Sequence, residues 1–182
     1  MVQLAKKLPD RDKMGTIISN TKGQVLNTSA QIEWTSQMTQ ALIAMSEKPE
    51  LNPLKKVRAL YKKKTELYVE CVEKPGLNYR DRQKIIALII IEEHNREVIE
   101  KIAANKGVNS ENHFEWQSQL RFFKDLTDGS DKMYIKIEQL NARFDYGYEY
   151  QGNNGRLVIT PLTDRAYMTL TNALQLYRGG AP

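Results

Sequence analysis

Apolar side chains recur at helical intervals through the first part of the chain and at alternate positions later on. Trp34, Met38, Ala41, Leu42 and Met45 fall at i, i+4, i+7, i+8 and i+11 and line one face, which predicts a helix from Asn27 to Ser46. Pro49 and Pro53 punctuate the loop that follows. Leu54, Val57, Tyr61, Tyr68 and Val72 share one face of a second helix, from Pro53 to Val72. Proline costs nothing at the first helical position, where its missing N–H would be unpaired anyway. The triplet Lys62-Lys63-Lys64 is expected to point largely to water. A third helix is predicted from Asn78, a good N-cap, to Asn105. Its middle, Ile85 to Ile91, is apolar on all sides, which implies cover from neighbours on most faces. Such a run also suits a strand, but its length and charged flanks (RDRQK before, EEHNRE after) favour the helix. Three such helices with short loops suggest an antiparallel bundle.

The period then changes. After a loop over 107–112 and a short helix from Phe114 to Leu120, Met133, Ile135 and Ile137 alternate with Tyr134, Lys136 and Glu138. Phe144, Tyr146, Tyr148 and Tyr150 alternate with Asp145, Gly147 and Glu149. Both runs read as strands, and Arg156 to Thr160 as another after the turn Gly152-Asn153-Asn154-Gly155. The last element is a helix from Leu162 to Tyr177, with Tyr167, Leu170, Leu174 and Tyr177 as its seam and Gly179-Gly180 as its stop. Residues 1–24, broken by Pro9, Gly15 and Gly23, are weakly patterned and read as loop or partial helix. The expected fold class is α+β: mainly a helical bundle over 25–112, then over 113–182 a small antiparallel β-sheet and a terminal helix.

Charge and composition narrow the chemistry. Net charge is +5, and residues 50–84 account for it with ten Lys/Arg against five Asp/Glu. A basic segment suits nucleic acid or an acidic protein surface, although a solvated helix face is the commoner meaning. No apolar run is long enough to cross a bilayer, and the first residues hold no secretion signal. One cysteine, Cys71, and two histidines form neither a disulfide nor a usual zinc site. Cys71, at the end of a helix seam, reads as a small buried hydrophobe rather than a nucleophile. Adjacent Glu92 and Glu93 diverge on a helix and read as a solvated face. The aromatics from Phe144 to Tyr150 could stack bases, but no Lys or Arg lies between them, so packing on the bundle is favoured. By residue chemistry there is no assembled catalytic site.

Longer motifs carry a resemblance. Phe114-Glu115-Trp116, Ser118-Gln119-Leu120-Arg121, the run FDYGYEYQG from Phe144 to Gly152 and RLVITPLTDRAY from Arg156 to Tyr167 look like the dynein heavy chain, and LVITPLTDR resembles the axonemal members. Upstream, Gly23-Gln24-Val25 with Gln31-Ile32-Glu33-Trp34-Thr35 resembles the family's linker, as do Asp81 to Ile85 and His94 to Val98. Glu33 stands where a second tryptophan is usual, Ala166 where a cysteine is common and Arg178 where the family tends to be apolar or small. The resemblance implies the force-transmitting end of the linker and the entry to the first AAA+ module of an ATP-driven microtubule motor, cut just short of the Walker A loop. It implies ATP or ADP with Mg in the parent protein, with Val158, Ile159 and Thr160 meeting the adenine edge through backbone groups and Pro161 and Leu162 packing on its face. Without a phosphate loop, the isolated chain is expected neither to hydrolyse ATP nor to bind it well. Implied partners are the rest of the AAA+ ring, microtubules and other dynein subunits, in the cytoplasm and cytoskeleton, in the axoneme of a cilium or flagellum. No membrane or nucleic-acid partner is implied. A basic nucleic-acid- or protein-binding helical module is the alternative.

Overall fold

Three of the four bundle helices begin at a residue that satisfies a free N–H group of the first turn. The computed structural model describes residues 8–105, 107, 110–125, 134–153 and 159–181. Asp10 Oδ1 accepts from Lys13 N–H (2.9 Å) and starts α1 (Arg11–Asn20). Asn52 caps α3 (Pro53–Val72) through Lys55 N–H, and Asn78 caps α4 (Tyr79–Ala104) through Asp81 N–H at 2.8 Å. The second helix, α2 (Gly23–Glu47), has no side-chain cap, and a 3-10 turn at Pro49–Leu51 links it to α3. The α3 and α4 boundaries are those the sequence predicts. The weakly patterned first segment contains α1, and α2 starts earlier than its apolar seam.

These helices pack so that two apolar clusters lie at opposite ends of the bundle. Trp34, Met38 and Leu42 of α2 meet Leu54, Val57 and Tyr61 of α3 and Val98, Ile99 and Ile102 of α4 in one cluster. Met14 and Ile18 of α1 meet Ala30, Leu67, Tyr68, Cys71, Ile85 and Leu88 in the other. Along each helix a charged residue falls between the two clusters: Glu33 on α2, Lys64 on α3 and Glu92 on α4. Lys64, 4% exposed, donates to Glu33 Oε2 at 3.0 Å and lies 2.7 Å from Oε1 of Glu92, which is 0% exposed. Asn95 Nδ2 donates to Glu92 Oε2 at 3.2 Å.

Two expectations are corrected here. Lys64 does not point to water with Lys62 and Lys63, and Glu92 is not on a solvated face. Burial by itself would push the Lys64 ammonium down, but Glu92, Tyr61, Tyr68 and Glu33 outweigh it and hold it above the usual lysine range. Burial raises the Glu92 carboxyl above the usual carboxylate range although Lys64 opposes the shift. Glu93 does stay outside, beside Arg96. The run Ile85 to Ile91 is helical, yet Ile86 is exposed and Ile89 and Ile90 are only half-buried, so its cover is less complete than its composition suggests.

A second polar knot joins α1 to the start of α4. Asp81 accepts from Ser19 Oγ (2.7 Å), Asn78 Nδ2 (2.7 Å) and Lys84 Nζ (2.9 Å). Lys84 Nζ also donates to the Ile18 carbonyl at 2.9 Å, near the end of α1. Burial alone would raise the Asp81 carboxyl, but the Lys84, Ser19 and Asn78 donors outweigh it and hold it below the usual range. A depressed carboxyl stabilises the fold above its unfolded pKa, about 3.9, and that stability is lost as pH falls through the folded value. Asp81→Asn is expected to cost about 2 kcal/mol near neutrality and to flatten the acid limb of a urea-midpoint profile against pH. A variant whose acid limb matches the parent's would exclude this role.

A four-residue helix, α5 (Phe114–Gln117), leads into a three-stranded antiparallel sheet of order β1 (Arg121–Asp125), β2 (Tyr134–Gln139) and β3 (Ala142–Asp145). Registers include Phe122 opposite Ile137 and Ile137 opposite Phe144. Trp116 of α5 is wholly buried and meets Trp34 edge-on at 5.7 Å, while Phe122 N–H donates to the buried Thr35 hydroxyl at 2.9 Å. Those contacts seat the sheet on α2. The fold class is α+β as expected, but β1 was not foreseen, and the predicted strand from Phe144 to Tyr150 stops at Asp145. Tyr148, at φ 52°, leaves the extended region and ends the alternation. The last helix is α6 (Pro161–Gln175).

Candidate functional site

The residues singled out for a nucleotide lie at the start of α6. Thr160 is its N-cap in extended conformation, with Thr160 Oγ1 accepting from Thr163 N–H at 3.3 Å and Thr163 Oγ1 accepting from Thr160 N–H at 2.7 Å. That reciprocal box fixes the entry of the chain into the helix. Pro161 occupies the first turn, and Asp164 places a carboxylate where the helix dipole favours it. Leu162 is 77% exposed and Ile159 half-buried. Val158, most of the predicted strand Arg156 to Thr160 and the second half of the 152–155 turn lie outside the described residues, as does Met133; Ile159 and Thr160 carry no strand pairing.

No residue of α6 is buried. Its predicted seam exists as a stripe, but Tyr167 and Leu174 are exposed, as is Leu176 just beyond the helix, and Tyr177 is 98% exposed. Polar contacts attach the helix to the sheet: Thr171 Oγ1 donates to Gln139 Oε1 at 2.8 Å, and Arg143 N–H to Gln175 Oε1 at 2.9 Å. Beyond the helix the chain turns back, and a Cβ on Gly180 would stand 2.5 Å from Leu170 Cδ2, so a larger residue there would make the Leu170 side chain move.

The stretch before α6 is held to α2 chiefly by Gln24, which the sequence offers only as part of the Gly23-Gln24-Val25 motif, with Asn27 and Thr28 adding contacts to Asn153 and Tyr146. Gln24 Nε2 donates to Tyr146 Oη and to the Glu149 carbonyl, both at 2.8 Å. Its Oε1 accepts from Gln151 N–H at 2.7 Å and Gly152 N–H at 3.2 Å. Gly23 lets the segment approach, since a Cβ there would stand 2.8 Å from the Asn153 side chain. Two motifs far apart in sequence, Gly23-Gln24 and the run through Tyr146 to Gly152, are thus in contact. Tyr146 bonds to Gln24 of α2 and Tyr148 Oη accepts from Ile135 N–H at 3.0 Å, but Tyr148 and Tyr150 are 56% and 71% exposed, so the expected packing of these aromatics on the bundle is met only at Tyr146.

Catalytic arrangements are not assembled among the described residues. Cys71 is buried, its thiol is pushed up by burial, and it points toward the Arg11 carbonyl. His113 precedes α5, with its Nδ1 2.6 Å from Glu115 Oε2. No group of three or more metal-ligating side chains occurs among the described residues, and no described helix is long and apolar enough to cross a membrane. The basic segment also presents less charge than its composition suggests. Lys64 and Lys84 are internal, and Arg58, Lys62 and Lys74 are paired with Glu100, Glu66 and Asp12.

Residues 146–182 match the family model described as the hydrolytic ATP binding site of the dynein motor region. The whole chain is similar to dynein axonemal heavy chain 2 of Homo sapiens, 44% identical over 181 residues that are 98% of this chain and 4% of that protein. The Chlamydomonas reinhardtii dynein-1-beta heavy chain of the flagellar inner arm I1 complex is 46% identical over 166 residues, 91% of this chain and 4% of its own length. The cytoplasmic dynein heavy chain of Drosophila melanogaster is 34% identical over 163 residues, 88% of this chain and 3% of that protein. The chain is therefore homologous to one segment of the dynein heavy chains. Within that family its homologues at about 45% identity over the whole chain are axonemal heavy chains, and it spans about 4% of their length.

Proposed function

We propose that this chain is the force-transmitting end of a dynein linker together with the adenine-side entry to the first AAA+ nucleotide site. Residues 25–112, with α1 packed on them, are the helical linker bundle. Residues 113–182 are the β-containing linker end that leads into the AAA+ module. The supporting observation is the uncovered apolar face of α6: a helix that begins inside the ATP-site match yet leaves Leu162, Tyr167, Leu174 and Tyr177 in solvent is built to be covered by the remainder of a larger domain. Backbone groups of Val158, Ile159 and Thr160 meet the adenine edge, and Pro161 and Leu162 pack on its face, an apolar wall with a few polar groups that fix orientation. Mg and the phosphates are held by residues other than these. The working partners are the rest of the AAA+ ring, microtubules and other dynein subunits, in an axoneme.

In a heavy chain containing this segment, Leu162→Asp is expected to raise the KM for ATP about tenfold, the effect of losing one buried leucine contact. An unchanged KM would remove the adenine assignment. The 182-residue polypeptide alone is expected to show no sub-millimolar ATP binding by calorimetry. The competing nucleic-acid role predicts salt-sensitive RNA retention in a filter assay, and the loss of accessible cations from residues 50–84 argues against it.

A further inference from the structure

The sheet and α6 enclose an open cleft of about 880 Å³ on the side away from the start of α6. Arg121, Arg143 and Glu138 line it, together with the carboxamides of Asn112, Asn141 and Asn172. Arg121 is 4% exposed. Its Nη2 lies 3.5 Å from Glu138 Oε2 outside hydrogen-bond geometry, and neither Nε nor Nη2 has an acceptor. A buried guanidinium with two N–H groups unsatisfied is costly, because those groups gave up water and are offset only by the Glu138 charge and by the Phe123 ring, whose centroid is 5.5 Å from Cζ. Arg143, on the exposed rim, reaches Glu138 Oε1 at 3.4 Å. Glu138 is thus shared between two arginines and cannot complete either fork.

We propose that this cleft receives the carboxylate side chain of an acidic polypeptide segment, held by the fork of Arg121. Two guanidinium charges against one carboxylate leave a single positive charge, which matches a monoanion; a dianionic phosphate would meet repulsion from Glu138. The planar fork suits a carboxylate in two-point contact. The three asparagine carboxamides each donate and accept, which is what a peptide backbone on either side of the acidic residue requires. The site is distinct from the adenine assignment and does not rest on it.

The test is side-chain NMR of the 182-residue chain with nitrogen-labelled arginine, titrated with a blocked Ala-Glu-Ala peptide, its Ala-Gln-Ala counterpart, and inorganic phosphate at matched ionic strength. The Arg121 Nε–H resonance is expected to shift saturably with the glutamate peptide and not with the other two. Arg143→Gln, on an exposed residue that the fold does not need, is expected to weaken the glutamate peptide about threefold, the scale of one exposed charge pair. Arg121→Lys keeps the charge and is expected to abolish saturation in the carboxamide resonances of Asn141 and Asn172. Equal shifts with the glutamine peptide or with phosphate, or no saturable shift with any probe, overturn the proposal.

Discussion

Replacing Lys64 with methionine is expected to cost about 3–5 kcal/mol of folding stability, a large share of the roughly 5–15 kcal/mol that holds a domain together. Methionine fills much of the lysine stem's volume, so the loss is mainly electrostatic. Glu92, 0% exposed, would keep only its hydrogen bond from Asn95. The orphaned carboxylate must either stay charged in a dry place or take up a proton. Its folded pKa is already raised by burial, and loss of Lys64 raises it further. For a carboxyl raised on folding, ionisation is the destabilising event. Stability is greatest below the unfolded pKa, about 4.3, and falls as pH rises through the folded value. The cost of Lys64→Met should therefore shrink as urea unfolding is repeated at lower pH. Lys64→Met combined with Glu92→Leu should recover most of the loss, because a buried pair replaced by apolar groups is often neutral. A double-mutant cycle with no coupling between the two sites would sink this account.

Trp116→Ala is the second large effect, at about 3–5 kcal/mol. A four-residue helix has no stability of its own, and α5 exists because Trp116 is inserted edge-on against Trp34, which itself meets Tyr61 at 5.3 Å. The loss should be uneven. Leu140 N–H, in the β2–β3 turn, donates to the Gln117 carbonyl at 2.7 Å, and Phe122 N–H to Thr35. Hydrogen exchange at Leu140 and Phe122 is expected to quicken more than at the centres of α3 and α4. Uniform acceleration would mean that Trp116 stabilises the whole bundle rather than seating the sheet.

The places where sequence and structure part company have definite physical causes. Val57, Tyr61, Lys64, Tyr68 and Cys71 keep one helical face, as do Ile85, Leu88, Glu92, Asn95, Ile99 and Ile102. Position alone puts Lys64 and Glu92 inside; their charge suggests water. Position wins here because each supplies the other's partner from a neighbouring helix, information that no single segment contains. The proline and asparagine signals at α3 and α4 are local and were legible. Helix α1 was legible only as loop or partial helix, since only Met14 and Ile18 are buried in it and it packs on α3 and α4. Strand β1 escaped because its buried end residue is Arg121, which breaks any apolar alternation. At the candidate site a helix start near Leu162 was legible, but the capping role of Thr160 was not, because it read as the end of a strand. The Gln24 clamp was not readable, because its partners lie more than a hundred positions away and are mostly backbone atoms.

That clamp gives the molecule a shortcut. Between residue 24 and residue 151 the covalent chain runs through the whole bundle and sheet, yet one carboxamide joins its two ends directly. Tension carried along the chain into residues 151–152 would be shared with α2 at Gln24, beside the bonds that tie α6 to Gln139 and Arg143 of the sheet. The sheet is thereby wired in parallel with α2 rather than placed alone in the line of pull, with Asn27 and Thr28 adding to the four hydrogen bonds of Gln24.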